Sequence, residues 1–570
     1  MSNAHSGNIV AFFARSIAEA SGIPRPVLIV TPDTDTGWND FGHKFQARLY
    51  LLRTTPQGDE GFDYFPMRLM FQGQDNTISY LNQLFDQHGP LVACTQVKEP
   101  FCSILTQDSS YRDLVSELKL EEAVHGLSQI GDAVVLESRG IAHPRLELVQ
   151  SESFHMGALR DSKSYSAWRH AKRHLRHDPP PPITDAATNF LVKTHIPGLA
   201  NAYEVNFEFN KEELLRNRIA VLIGQNGVGK TQFLLSIIKR AIQSKKNDLI
   251  PGALTEAQIE PALSFNGLMV FSSVSSDRYP EAIAPWDGGL DYNYFSLLPQ
   301  DPRLSYGIDT LTAALADIIR SKDSFGTPGS EDNTQTRSDV LEDALKYFTD
   351  WQSIHLPILK ETPSGVIRTV ELSNGRYASL HSINGEQRTL KTIRYLDWKR
   401  PPVIIKDGVF RHLSSGQVAL MRFAVQAIGS IQQGSLILMD EPETHLHPNF
   451  ISVLIEVLHT ILEATRSCAI IATHSAYIVR EVPRSRVLVF RVQDEAAEVS
   501  HPRLQTFGSS IDSISQFVFG DSEIEHLHET LLTKWLSNEA SIEAVLEKYG
   551  AELNPESLSY IRKIISEQEP

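Results

Sequence analysis

Gly224-Gln225-Asn226-Gly227-Val228-Gly229-Lys230-Thr231 is the stretch on which the reading of this chain turns. It fits the spacing G-x-x-x-x-G-K-[S/T]. In that pattern the glycines let successive backbone N–H groups curl around phosphate oxygens, the lysine adds a point charge and the threonine offers a hydroxyl to Mg²⁺. The flanks agree: residues 219–223 form an apolar run of strand length, and residues 231–241 carry apolar side chains at helical spacing. Strand, loop, helix is the context a phosphate loop requires, and a mere glycine-rich turn would not supply both flanks.

Three further stretches follow in order. Leu413-Ser414-Ser415-Gly416-Gln417 opens a helical run over 418–428, whose first N–H groups make an anion site and which Ser414 or Ser415 would cap. Residues 435–442 form an apolar strand ending in two carboxylates, with Asp440 placed to hold Mg²⁺ through its water shell and Glu441 to polarise an attacking water. Residues 469–475 are another apolar strand, delivering His474 at its end. Singly these are a helix cap, an acidic turn and a structural histidine; it is their order behind the phosphate loop that gives them chemical meaning.

Taken together the four stretches resemble the ATP-binding cassette (ABC) superfamily. Asp440-Glu441-Pro442-Glu443-Thr444-His445-Leu446-His447-Pro448 with Ala472-Thr473-His474-Ser475 looks like its soluble RecF/SMC-related branch, which includes the OLD-family nucleases and the ATPases of antiphage systems such as Septu and PARIS. The resemblance covers roughly residues 190–520 and leaves out the first 175. It implies an α/β P-loop NTPase of ABC type with a helical insertion at about 300–400, using ATP and Mg²⁺. Gly224, Asn226, Gly227, Gly229, Lys230 and Thr231 would surround the phosphates, and Thr231 and Asp440 the metal. Glu441 would be the catalytic base, His474 the γ-phosphate sensor, and Ser414, Ser415, Gly416 and Gln417 would face the ATP held by a second copy. One cassette per chain then implies a homodimer, with higher oligomers open. There is one departure: the strand end Val270-Phe271-Ser272-Ser273 offers no glutamine where the family has a glutamine loop, so slow hydrolysis is expected. Long heptad arrays are also missing between 229 and 413, which argues against an SMC-like bridging machine.

Composition bounds the rest. A length of 570 residues, with 41% hydrophobic and 21% charged, suits two or three soluble domains. The net charge of -16 excludes a generally basic, nucleic-acid-coating protein and leaves a local basic face open, so nucleic acid stays an open partner. Cys94, Cys102 and Cys468 have neither zinc nor disulfide spacing, which points to a reducing cytoplasm. The apolar residues 9–13 are followed at once by Arg15 and Glu19, so no signal-peptide core forms, and no run reaches the ~20 residues of a membrane helix.

The expected division is a mixed α/β N-terminal domain over 1–177, a Pro-rich linker at 178–189, the ATPase domain over 190–520 and a helical segment over 521–570. In the first, 9–20 and 111–127 read as helical and 44–52, 67–71 and 133–137 as strands. In the insertion, helices at 308–321 and 339–351 flank a polar, mobile piece at 322–337. Asp33, Asp35 and Asp40 read as a solvated turn rather than a metal cluster, and the basic stretch 169–177 as a solvated linker end rather than a nucleic-acid contact.

The function expected is an ATPase acting as a dimeric, nucleotide-controlled switch or scaffold for a separate effector, a nuclease or toxin, in bacterial antiphage defence. The alternative is an OLD-like or DNA-repair ATPase working on nucleic acid with a nuclease partner; a transporter subunit ranks last. The residues beyond His474 hold no D-x-D or equivalent carboxylate cluster, so nuclease chemistry is expected from a partner chain.

Overall fold

The computed structural model describes residues 9–33, 42–54, 60–139, 144–151, 153–159, 162–176, 186, 189–209, 218–242, 257–261, 265–273, 279–281, 283–284, 291–297, 311–321, 323–326, 334–363, 365–383, 389, 392–398, 400–444, 446–516 and scattered positions beyond. The proline run at 179–182, Asp35, Asp40 and most of 521–570 lie outside them.

The first sheet has six strands: β1 Val10–Ala14, β2 Val27–Pro32, β3 Gln46–Thr54, β4 Glu60–Phe71, β5 Leu91–Ala93 and β6 Phe101–Leu105, in spatial order β5-β1-β2-β3-β4-β6. All neighbours are antiparallel except β1 and β2. Around it lie α1 Thr77–His88, α2 Asp108–Leu118, α3 Leu120–Gln129, α4 Ala133–Ser138, α5 Pro144–Val149 and α6 Ser162–His170. The mixed α/β composition of this part is as expected, but several elements differ. Residues 9–20 are strand β1 followed by a short 3-10 turn at Ile17–Ala20, because pairing on both edges buries Ala11, Phe13 and Ala14. Residues 133–137 are helix rather than strand, capped when Asp132 accepts the Val135 N–H. The stretch 111–127 is two helices, broken where Lys119 adopts φ +67°.

The central sheet takes its strands from residues 219–500. After β7 Asn189–Thr194 and β8 Tyr203–Glu208 come β9 Ile219–Ile223, β10 Gln258–Glu260, β11 Gly267–Ser272 and β12 Asp291–Ser296. Much later come β20 Leu436–Asp440, β21 Cys468–Thr473, β22 Val487–Gln493 and β23 Ala496–Ser500. The order is β12-β11-β20-β21-β9-β22-β23, parallel throughout except for β23. Parallel strands must be covered on both faces, which explains their near-continuous apolar sequences. On one face, Ala220 and Leu222 pack with α7 Lys230–Ala241, through Phe233, and with the antiparallel sheet β10-β7-β8, which brings Phe190 and Phe207. On the other, Ile219, Val221 and Ile223 pack with α8 Leu311–Arg320, α9 Arg337–Leu345, α10 Ser415–Ser430 and α11 Pro448–Thr465.

The insertion expected to be helical is only partly so. Besides α8 and α9 it holds the small pair β13 Ser324–Phe325 and β14 Gln335–Thr336, and an antiparallel sheet. That sheet is built from β15 Ile354–Ile358, β16 Val370–Leu372, β17 Gly375–Ser379, β18 Val403–Lys406 and β19 Val409–His412, ordered β16-β17-β15-β18-β19. The edge strands β16 and β19 are short and largely exposed, so they lack the apolar alternation that marks a strand in sequence.

The basic stretch 169–177 is neither a solvated end nor a free basic face over its described part. It ends α6 and forms a 3-10 turn docked on the ATPase half: His170 meets Asp323 at 2.5 Å and Lys172 meets Asp291 at 2.6 Å. Arg173 and His174 both turn back to Asp108, and burial around Arg176 lowers its basicity.

Candidate functional site

β9 ends in the phosphate loop, and α7 starts at Lys230. Gly227 (φ +83°) and Gly229 (φ +92°) occupy the left-handed region, where a side chain would be strained. At Gly224 a Cβ would lie 2.4 Å from the Phe490 carbonyl oxygen, so the loop lies tightly against β22. These conformations turn backbone N–H groups towards one concavity, the form of an anion nest. The Lys230 ammonium folds back into it, donating to the carbonyl oxygens of Gly224 at 2.8 Å and Gln225 at 3.2 Å. Burial lowers its pKa to about 8, against the opposing pull of Glu441, Asp440 and Glu443.

β20 and β21 end beside this loop. Asp440 is buried; the Tyr279 hydroxyl donates to its Oδ2 at 2.8 Å, while its Oδ1 is buried without a hydrogen-bond partner. Burial pushes the Asp440 carboxyl above its ordinary range, against the hydrogen bonds of the Thr231 and Tyr279 hydroxyls. Glu441 stands next to it at φ +48°, held by its N–H on the Ala472 carbonyl at 2.9 Å. Its carboxylate lies 2.8 Å from His474 Nε2, and the Lys230 ammonium approaches His474 Nδ1 at 3.3 Å. The same ammonium lies 3.2 Å from Nε2, so it stands across both ring nitrogens. Burial, then the Lys230 charge, lowers the His474 pKa.

Lys230, Thr231, Asp440, Glu441 and His474, picked from three separate stretches, are thus brought together. Glu443 joins them, which sequence reasoning had given no role. Its Oε1 accepts from the Thr473 hydroxyl and, at 3.0 Å, from the His474 N–H, while Oε2 is buried and unpartnered. Burial raises its pKa. The only sequence signal for it was its place three residues after Asp440.

The stretch 414–417 lies at the start of α10. Ser414 caps the helix, its hydroxyl accepting the Gln417 N–H at 3.3 Å while the Gln417 side chain accepts the Ser414 N–H at 3.0 Å, a reciprocal capping box. The Gln417 amide also donates to the Phe348 carbonyl at 3.0 Å, so within one chain it is committed to structure. At Gly416 a Cβ would meet the Phe450 ring at 2.4 Å.

The donor set suits Mg²⁺. A threonine hydroxyl and an unsatisfied carboxylate oxygen are hard oxygen ligands, and Mg²⁺ keeps several waters and takes the remaining oxygens from phosphate. Among the described residues no group of three or more His, Cys, Asp and Glu could hold a metal ion. No helix among them is long and apolar enough to cross a membrane.

Residues 409–480 match the family described as "AAA domain, putative AbiEii toxin, Type IV TA system". The chain is also similar to Protein ea59 of Escherichia phage lambda, 25% identical over 535 residues and covering 93% of each chain. Solved structures similar to this one include the SMC head domain from Thermotoga maritima (8% identity, TM-score 0.26, covering 56% of this chain and 100% of that one). Another is SmcHead bound to the C-winged helix domain of ScpA (12%, TM-score 0.27, covering 56% and 97%). Scores of this size add nothing to the strand order, which carries the fold by itself. The match to an AAA-domain family thus lies over residues 409–480, and the strand order β12-β11-β20-β21-β9-β22-β23 sets the glycine-rich loop and the carboxylates on one parallel α/β sheet.

Proposed function

We propose that this chain binds and hydrolyses ATP at Gly224–Thr231 and uses the bound nucleotide to close a homodimer that controls a separate effector. The observation that carries the reading is the convergence of Lys230, Asp440, Glu441 and His474 on the mouth of one glycine-rich loop.

Backbone N–H groups of 227–231 cradle the phosphates, and Lys230 leaves the Gly224 and Gln225 carbonyls to pair with them. Thr231 and Asp440 would hold Mg²⁺, which would offset charge on the phosphates. Glu441 orients water and takes its proton on the carboxylate, while His474, tied to Glu441 and pinned by Glu443, touches the terminal phosphate. Ser414 to Gln417 complete the site from the second copy. A relative encoded by a bacteriophage, and a family description naming a toxin system, support a role in conflict between phages within one host, with a nuclease or toxin as effector.

The test is Glu441→Gln. It should bind ATP, hydrolyse it at least a hundredfold more slowly and sediment as a dimer only with ATP. An ATP-independent monomer refutes the sandwich, and Lys230→Ala retaining normal ATP affinity by calorimetry refutes the site. Proteins captured on the ATP-trapped dimer report the effector: a nuclease, protease or toxin supports the switch, and an integral membrane partner favours transport.

A further inference from the structure

We infer that Tyr279 is a positioning residue for the metal-binding carboxylate, setting which oxygen of Asp440 faces the nucleotide. The inference rests on the ATP site proposed above and assigns a role to a side chain far from any of its motifs.

β11 and β20 pair so that Ser272 lies opposite Asp440, and the Ser273 N–H bonds to the Asp440 carbonyl at 3.1 Å. The two strands thus end level. The hydroxyls that bond the Asp440 carboxyl are those of Thr231, from the glycine-rich loop, and Tyr279, which takes Oδ2. Its ring is buried beside Tyr294, with centroids 6.2 Å apart, and its hydroxyl reaches Asp440 Oδ2 at 2.8 Å.

A carboxylate at the end of a strand can rotate about its last torsion and offer either oxygen. A buried phenol removes that freedom, because a rigid ring with one proton to donate fixes one oxygen and leaves the other. Oδ1 is the oxygen left, buried and unpartnered on a carboxyl that also feels the Thr231 hydroxyl. An unpaired buried carboxylate oxygen is costly unless a cation completes it, so Oδ1 is the oxygen a metal would take. Tyr279 supplies no carbonyl or carboxylate to an ion, which makes its work orientation of a ligand rather than ligation.

Tyr279→Phe keeps the ring and removes the hydroxyl. With full-length protein and ATP, Mn²⁺ affinity read from the free-ion resonance should weaken by about tenfold or more. ATP affinity in EDTA should stay unchanged, and the activating Mg²⁺ concentration should rise in parallel. Tyr279→Gln, which can donate an N–H to the same oxygen, should recover part of the affinity. Unchanged Mn²⁺ affinity in Tyr279→Phe overturns the inference, as does equal loss in EDTA, which would mark a merely structural role. If Tyr279→Phe does not fold, a Tyr279→Gln protein with Mn²⁺ affinity unchanged by adding Tyr294→Phe supports the assignment, and one weakened by it overturns it. Wild-type protein that binds neither ATP nor Mn²⁺ with ATP would instead sink the ATP site itself.

Discussion

Glu441 sits at φ +48°, a backbone state that costs a residue with a side chain about 1–3 kcal/mol. Glycine tolerates that state, so Glu441→Gly should melt above Glu441→Ala in calorimetry even though both lose the carboxylate; the reverse order would show that the turn is not strained. Asp132 offers a second test at this scale. It accepts from Tyr111 at 2.7 Å, and burial raises its pKa from 3.8 to about 7. A carboxyl with a raised folded pKa stabilises the fold most below its unfolded pKa, and that contribution is lost as pH climbs through the folded value. Urea unfolding of the wild type should therefore lose stability between pH 4 and 7, and Asp132→Asn should flatten that loss. The phosphate loop, Asp440, Glu441 and His474 were legible because spacing along a strand or loop fixes where they end. Tyr279 and Glu443 were not, since packing brings one in from the chain beyond β11 and turns the other back on the chain.

The helix α10 shows what an element adds. Its capping box satisfies two N–H groups at the end that carries Ser414 and Gly416, so Ser414→Ala should remove about 1 kcal/mol from unfolding free energy, measured in denaturant. Gly416→Ala would drive a methyl into the Phe450 ring, costing about 1–3 kcal/mol through displacement of α11. The strands β9, β20 and β21 and helices α7 and α10 could be read from sequence because each couples a strong apolar pattern to a clear start. Residues 133–137 could not, as a short apolar run fits a buried strand or helix equally. Residues 9–13 are ambiguous for the same reason, and the edge strands β16 and β19 are exposed and leave no alternation.

Across the whole molecule, the two halves meet in a buried layer of charge. Arg337, at the start of α9, donates to the carbonyls of Ile428 and, at 3.0 Å, Ile431 at the far end of α10, and pairs with Asp323, which also holds His170. Arg169 lies over the Trp168 ring, and its charge is reinforced by Tyr165, Asp317 and Glu137. Removing one member of a buried charged set strands the others, so Arg337→Ala should cost about 3–5 kcal/mol in thermal or chemical unfolding, far beyond a surface arginine. None of this was legible, since charge runs in sequence carry no mark of what they will face. The strand order has a further consequence. β9 and β20 are separated by β21 alone, so the phosphate loop and the carboxylates stand two ladder spacings apart, about 10 Å. The backbone thus acts as a ruler cut to the length of a polyphosphate tail, a gauge that side-chain drift over evolution can decorate but not recalibrate.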